Sequence, residues 1–340
     1  MELHRQCRLV LFAQEQKNLS LPTLTIVVPC FNEEEVLVTT NKMLVQILEQ
    51  LIMDQQISAQ SVISYVDDGS QDKTWSIIEQ LARESDHVSG IKLSKNVGHQ
   101  KALLCGLLSS SGEAVISVDA DLQDDLDVIP QMIKHFNEGA HVVYGVRADR
   151  SADSWFKRFS AEGYYRLLSY MGVDVIFNHA DYRLLSRRAI EALSEYREVN
   201  LFLRGLVRDL GFQSAIVQYE RAERFAGESK YPLLKMLALA WQGVTSFSTA
   251  PLRLITIIGG AVSFLSLLMT FWGLFITLFT NQALPGWAST VVPIYFLGGV
   301  QLLCLGIIGE YVAKIYIETK ARPRFHIDAQ VGGHMEKPHA

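Results

Sequence analysis

Ala114-Val115-Ile116-Ser117-Val118-Asp119-Ala120-Asp121-Leu122-Gln123-Asp124 is the stretch from which the fold can be read. The apolar run Ala114 to Val118 reads as a buried strand, and its carboxylates emerge together where the strand stops. Asp119 and Asp121 flank one small residue. In extended chain such i, i+2 side chains share a face, where hard oxygen ligands can meet one Mg²⁺ or Mn²⁺ and a substrate phosphate. By itself the pattern is common, because a solvated turn after a strand carries the same letters.

Working outward, further strand-like runs occur at Leu24 to Val28, Val62 to Val66, Gly90 to Leu93 and Val142 to Val146. Helical patterns separate most of them; Val36 to Leu51, for instance, spaces Leu44, Ile47, Leu48 and Leu51 on one helical face. Strands alternating with helices predict an α/β fold, a largely parallel sheet covered on both faces, with ligands beyond the carboxyl ends of its strands. The five predicted strand ends agree with that rule. They run into Pro29-Cys30-Phe31-Asn32-Glu33, Asp67-Asp68-Gly69-Ser70, Ser94-Lys95-Asn96, the aspartate cluster, and Arg147. Five polar strand ends together point to an active site more strongly than any one of them. The second reads both as an Asp-Gly turn before a helix that Ser70 or Asp72 caps and as a place for a base or ribose, which Gly69 lets come close.

The 340 residues allow one sizeable domain and an appendage, and the 49% hydrophobic share exceeds that of an ordinary soluble chain. A net charge of −5 argues against a general nucleic-acid binder. Cys7, Cys30, Cys105 and Cys304 have neither Cys-x-x-Cys spacing nor a paired framework, which fits a reducing compartment. Residues 1–20 hold only a short apolar run, Leu9 to Ala13, so they read as a flexible extension rather than a secretory signal.

Between Arg150 and Arg166, aromatic residues interleave with Lys157, Arg158 and Arg166, a composition shared by an acceptor groove and an ordinary amphipathic helix. Arg221 to Tyr231 reads as a cationic loop holding Lys230, and 232–250 as an amphipathic helix at a membrane interface. The apolar excess then follows. Two transmembrane helices are expected at about 254–279 and 291–313, within 251–317, since about 20 apolar residues cross a bilayer. Arg253 precedes them, and Lys314, Lys320, Arg322 and Arg324 follow. The positive-inside rule therefore predicts a hairpin with the 21–231 domain, both termini and a 318–340 tail in the cytoplasm, the tail disordered after Arg324.

These residues resemble the family 2 glycosyltransferases of GT-A fold, and within them the bactoprenol (undecaprenyl-phosphate) glucosyltransferases related to dolichyl-phosphate mannose synthase. The resemblance is carried by Val27 to Glu34, Asp67 to Ser70, Asn96 to Gln100, Asp119 to Asp124, Asp181 to Leu184, Gly227 to Lys230, and Gly309-Glu310-Tyr311 through Arg324. It implies a Rossmann-like GT-A domain with a membrane hairpin in a bacterial inner membrane. The implied activity is inverting transfer of one sugar, glucose from UDP-glucose by preference, to polyprenyl phosphate. By the same resemblance Pro29, Glu33, Asp68 and Asp119 hold the donor nucleotide, and Asp119, Asp121 and Gln123 a divalent cation. Asp124 and Asp181 orient the reacting groups, while Arg147, Lys157, Arg183, Arg221 and Lys230 meet phosphates. Two departures bear on local loop shape: Asp125 stands where many relatives carry proline, and His179-Ala180 where many carry a glycine before the aspartate. Rival readings are a processive polysaccharide synthase, for which a Gln-x-x-Arg-Trp motif is missing, and a non-catalytic membrane scaffold or flipping partner. Self-association is compatible with all of them.

Overall fold

From Leu24 to Asn137 strands and helices alternate, because apolar runs of strand length are punctuated by Gly, Asp and Asn at the turns. The computed structural model describes residues 21–121, 123–147, 179–219, 250–279 and 287–332. In chain order these form β1 (Leu24–Cys30), α1 (Leu37–Met53), β2 (Val62–Asp67), α2 (Thr74–Glu84), β3 (Val88–Leu93), α3 (His99–Ser109) and β4 (Ala114–Ser117). A 3₁₀ turn (Leu126–Val128), α4 (Ile129–Asn137), β5 (Val142–Arg147), β6 (His179–Ser186), α5 (Arg187–Ser194), α6 (Leu203–Asp209) and β7 (Ser214–Tyr219) follow. The chain ends in α7 (Ala250–Phe279), α8 (Trp287–Thr319) and β8 (Ile327–Val331).

One eight-stranded sheet results, in the order β7-β5-β6-β4-β1-β2-β3-β8. The pairs β1–β2, β1–β4, β2–β3 and β5–β7 are parallel; β6 runs against β4 and β5, and β8 against β3. The expected mostly parallel sheet is therefore present, with two reversed strands inserted. Its faces follow the period of two. Leu24, Ile26 and Val28 pack with Leu37, Leu44 and Leu48 of α1, Ile78 of α2, and Met132 and Ile133 of α4. Val27 and Val66 turn the other way, against α3, where Gly106 permits the contact: a Cβ there would lie 2.3 Å from Val27 Cγ1 and 2.9 Å from Val66 Cγ2.

Three strands were not expected. β6 starts with polar residues and carries a buried arginine, β7 is exposed at Ser214, Ile216 and Gln218, and β8 lies inside the segment expected as a disordered tail. β8 alternates half-buried Ile327, Ala329 and Val331 with exposed Asp328 and Gln330, and so covers the open edge of β3. Arg324 fastens its approach by donating from Nη1 to Tyr196 O at 2.8 Å. The tail is thus part of the fold as far as Gly332.

Two units divide the chain, one with the sheet and one with α7 and α8. Within the second, Leu297–Thr319 is long and apolar enough to cross a membrane, with mean hydropathy 1.5 and no residue of that window buried. Large apolar side chains on both helices, among them Phe264, Trp272, Phe275, Leu302 and Ile315, are exposed. The expected extension at 1–20 and interfacial helix at 232–250 fall outside the described residues, except Ala250, which opens α7.

Candidate active site

The cleft begins where β1 and β4 part. Val118 donates its N–H to Val27 O, and Asp68 donates to Cys30 O, so odd residues of β1 face β4 and even ones face β2. Pro29, two residues past Val27, therefore faces the gap left when β4 stops pairing at Ser117. A residue with no N–H suits a place where the ladder has ended. Across β4, the antiparallel register ends with Ser117 paired to Arg183, and beyond it Asp119 and Asp181 both approach His99 Nε2. Ser117 Oγ ties the junction by donating to Asp181 O.

Asp181 forms one bank of this cleft. It is only 11% exposed at its side chain, and Arg183 Nη2 donates to its Oδ1. Arg204, in α6, brings Nε to Oδ1 at 3.3 Å and Nη2 to Oδ2 at 3.2 Å. Burial alone would raise the Asp181 pKa, but Arg183 and Arg204, with His99, hold it well below the usual carboxylate range. Arg183 is fully buried and also donates from Nη1 to Leu203 O. Arg183, expected to meet a phosphate, is here buried and paired with Asp181.

Asp119 and Asp121 form the other bank. His99 Nε2 stands between the banks, 3.6 Å from Asp119 Oδ1 and 3.7 Å from Asp181 Oδ2. Burial pushes the Asp119 carboxyl up to about 6; His99 opposes this, and the charges of Asp124, Asp181 and Asp121 add to it. Asp121 Oδ1 accepts the Gln123 N–H at 3.3 Å, and the Gln123 amide oxygen is buried without a hydrogen-bond partner. Among the described residues no three His, Cys, Asp or Glu side chains converge into a ready cage. The carboxylates of Asp119 and Asp121 and the unsatisfied Gln123 amide oxygen are hard oxygen donors of the kind Mg²⁺ or Mn²⁺ take together with substrate phosphates and water. Asp124 lies behind them, buried, accepting from Tyr219 Oη at 2.6 Å; Tyr182 packs edge-on against Tyr219 and donates to Asp125 O. It anchors the aspartate loop to β7.

The remaining wall is laced from backbone amides. Asn32 N–H reaches Ser70 Oγ, Gln71 N–H reaches Asn32 Oδ1, and Glu33 N–H reaches Thr74 Oγ1, each at 2.9 Å. Asp72 accepts the Thr74 N–H, but the N-cap of α2 is Lys73, which makes no side-chain capping bond, so neither Ser70 nor Asp72 occupies the expected cap position. Asp68 is buried, and its two oxygens accept the N–H groups of Val97 and Gly98 at 2.7 and 2.9 Å. Burial raises its pKa while those amides oppose the rise. Gly69, at φ +70°, fits because a Cβ would lie 2.6 Å from Asn96 N; the close approach is to the β3–α3 loop.

Of the expected residues, Asp119, Asp121, Gln123, Asp124 and Asp181 meet at one strand edge, with Pro29, Glu33 and Asp68 on the neighbouring strand ends. Arg147 ends β5, beside β6. Lys157, Arg221 and Lys230 lie outside the described residues. His99 and Arg204 were missed. His99 sits inside a stretch whose spacing was noticed, Asn96 to Gln100, whereas nothing in the local sequence around Arg204 marks it.

Residues 25–194 match Glycosyl transferase family 2. The chain is 49% identical over 321 residues to the uncharacterized glycosyltransferase YkoT of Bacillus subtilis (strain 168), covering 94% of this chain and 95% of the relative. It is 41% identical over 305 residues to the bactoprenol glucosyl transferase of Shigella phage SfV, covering 89% and 97%. A prophage bactoprenol glucosyl transferase homolog of Escherichia coli (strain K12) is 40% identical over 305 residues, covering 89% and 98%.

Proposed function

Because the chain belongs to glycosyltransferase family 2, we propose that this glycosyltransferase moves a single glucose from UDP-glucose to polyprenyl phosphate at a bacterial plasma membrane. The observation that carries the reading is the convergence of Asp119 and Asp181 on His99 Nε2, with Arg183 and Arg204 paired to Asp181. Bactoprenol in the names of the relatives supports the acceptor, and glucosyl the sugar.

Asp119 and Asp121, with Gln123, would hold a divalent cation, which would supply Lewis-acid neutralisation of the departing nucleoside diphosphate. Pro29, Glu33 and the loop fastened by Asp68 seat the nucleoside. The acceptor needs little help to become a nucleophile. A phosphate monoester has a second pKa of about 6 and is mostly dianionic at neutral pH, so no side chain has to remove a proton from it. Asp181 acts instead as a fixed negative charge that orients cationic side chains around the attacking phosphate. Attack from the face opposite the leaving group inverts the anomeric centre, turning an α-linked donor into a β-linked lipid-phosphate sugar.

An acceptor that stays in the bilayer explains the second unit. In this reading α7 and α8 form a membrane hairpin with both flanks in the cytoplasm. Incubating the full-length protein with labelled UDP-glucose, Mg²⁺ or Mn²⁺ and undecaprenyl phosphate tests the reading. One sugar per lipid, abolished by chelation and restored by metal, is expected. A polymer would instead indicate a processive synthase, and no product with any sugar nucleotide a non-catalytic partner.

A further inference from the structure

The loop between β3 and α3 is suspended from two directions. On one side the two Asp68 oxygens accept its amides, Val97 N–H at 2.7 Å and Gly98 N–H at 2.9 Å, and a Cβ on Gly69 would lie 2.6 Å from Asn96 N. On the other side Ser94 donates its N–H to His326 O at 3.0 Å, one residue before β8 begins. The loop that fastens the proposed nucleoside seat is therefore held by the approach to β8 as well as by the end of β2.

The register of β8 explains how it reaches that loop. Gly90, Ile91 and Lys92 pair with Val331, Gln330 and Ala329, and the pairing then shifts between Lys92 and Leu93, so that Leu93 lies beside Ile327. A bulge of this kind re-aims the end of the strand that carries it. Leu93 is buried and Ile327 half-buried, and they are the last cross-strand pair before the loop leaves the sheet. Such pairs are where a sheet edge gains its stability. β8 is itself fixed on either side. At its entry Arg324 donates to Tyr196 O, and the Tyr196 hydroxyl donates to Asp209 Oδ2 at 2.9 Å. At its exit Gly332, at φ +87°, comes so near β3 that a Cβ would stand 2.7 Å from Val88 O. Covering the β3 edge accounts for the pairs from Gly90 to Lys92, but not for the bond to Ser94, which lies beyond that strand.

We propose that β8 and the turn before it are a positioning element for donor binding: through Ile327 and the His326 carbonyl they set the β3–α3 loop whose amides Asp68 holds. The inference rests on the reading of that loop as part of the nucleoside seat, and it adds a contribution from the segment that follows α8.

Hydrogen exchange without ligand and titration with UDP plus Mn²⁺, both on full-length protein in phosphatidylcholine nanodiscs, test the two halves separately. In Ile327→Asp, exchange at Val97 and Gly98 is expected to quicken about tenfold and UDP to bind about tenfold more weakly, with protection in β1 and β4 unchanged. Gly332→Val drives a side chain against the Val88 carbonyl past the far end of β8, and is the comparison for a general loss at the sheet edge. It should lower the melting temperature while leaving loop exchange and UDP affinity within about twofold of wild type. Ile327→Val keeps the apolar pair with Leu93 and should restore both readouts, and Ile327→Ala repeats the comparison at smaller amplitude if Ile327→Asp does not fold. Wild-type exchange at Val97 and Gly98 in the folded Ile327 variants would overturn the proposal. So would equal losses in Ile327→Asp and Gly332→Val, which would reduce β8 to a stabilising edge, or faster loop exchange with full UDP affinity. Wild-type protein that binds no UDP would refute the donor reading, while faster loop exchange in Ile327→Asp would still uphold β8 as what positions the loop.

Discussion

The two banks of the cleft use the same residue type in opposite ways. Asp119 is 39% exposed at its side chain, approached by a loosely placed histidine, and pushed up to about 6 by burial and by its acidic neighbours. Asp181 is 11% exposed, gripped by Arg183 and Arg204, and held below the usual carboxylate range. The first bank is an acidic cluster short of positive charge, which a cation would relieve. The second is satisfied within the protein. The two neighbouring carboxylates thus differ by their surroundings: acidic neighbours and a partly exposed side chain for Asp119, a buried guanidinium for Asp181.

Four experiments test and sharpen that division, taken from the largest expected effect down. Replacing Asp121 with alanine should lower sugar transfer by about a thousandfold while shifting the melting temperature by no more than about 2 °C, since the residue supports a ligand and not the core. Full metal-dependent transfer by that variant would erase the distinction between the banks. Asp181→Ala should lower sugar transfer and, unlike Asp121→Ala, also lower the free energy of unfolding by about 3–5 kcal/mol in urea titrations, because it takes the carboxylate partner from the buried Arg183.

The Asp181 pairs also carry a pH signature. Folding lowers the pKa of Asp181, so the unfolded chain binds more protons over the interval between the two values, and stability rises with pH there. The contribution is complete above the unfolded value of about 3.9 and is lost only as the pH falls through the lowered one. Asp181→Asn should flatten that part of the acid-side stability curve; an unchanged slope would mean the arginines do not perturb this carboxyl. The smallest effect is expected at Asp68, on the donor wall. Asp68→Asn leaves one of two backbone amides without its acceptor, at about 1–2 kcal/mol, and faster hydrogen exchange at Val97 and Gly98 would register it. Protection that stays at the wild-type level would show that the loop is held by something else.

The alternation that placed Leu24–Cys30, Val62–Asp67, Val88–Leu93, Ala114–Ser117 and Val142–Arg147 in a sheet is a local property of the chain, and so it could be read in advance. The same holds for the long apolar segments, since Leu254 to Phe279 contains no charged residue. The candidate site was readable to the extent that carboxylates follow strands. Its cationic half was not. Arg183 looks like a surface cation in the string Asp181-Tyr182-Arg183, and only burial against Asp181 and Leu203 O reveals otherwise. β8 escaped for a related reason: five residues alternating half-buried and exposed make a strand only if an edge such as that of β3 is waiting for them.

By itself, the amino-acid order determined the succession of elements, the acidic strand ends and the apolar helices, because each depends on residues within a few positions of one another. The tertiary structure decided that β6 runs backwards beside β4, and with it that Asp181 joins Asp119 at His99 Nε2 and gathers Arg204 from further along the chain. Those are choices of register and burial between distant segments, and no local pattern encodes them because their free energy exists only once the sheet has closed around them.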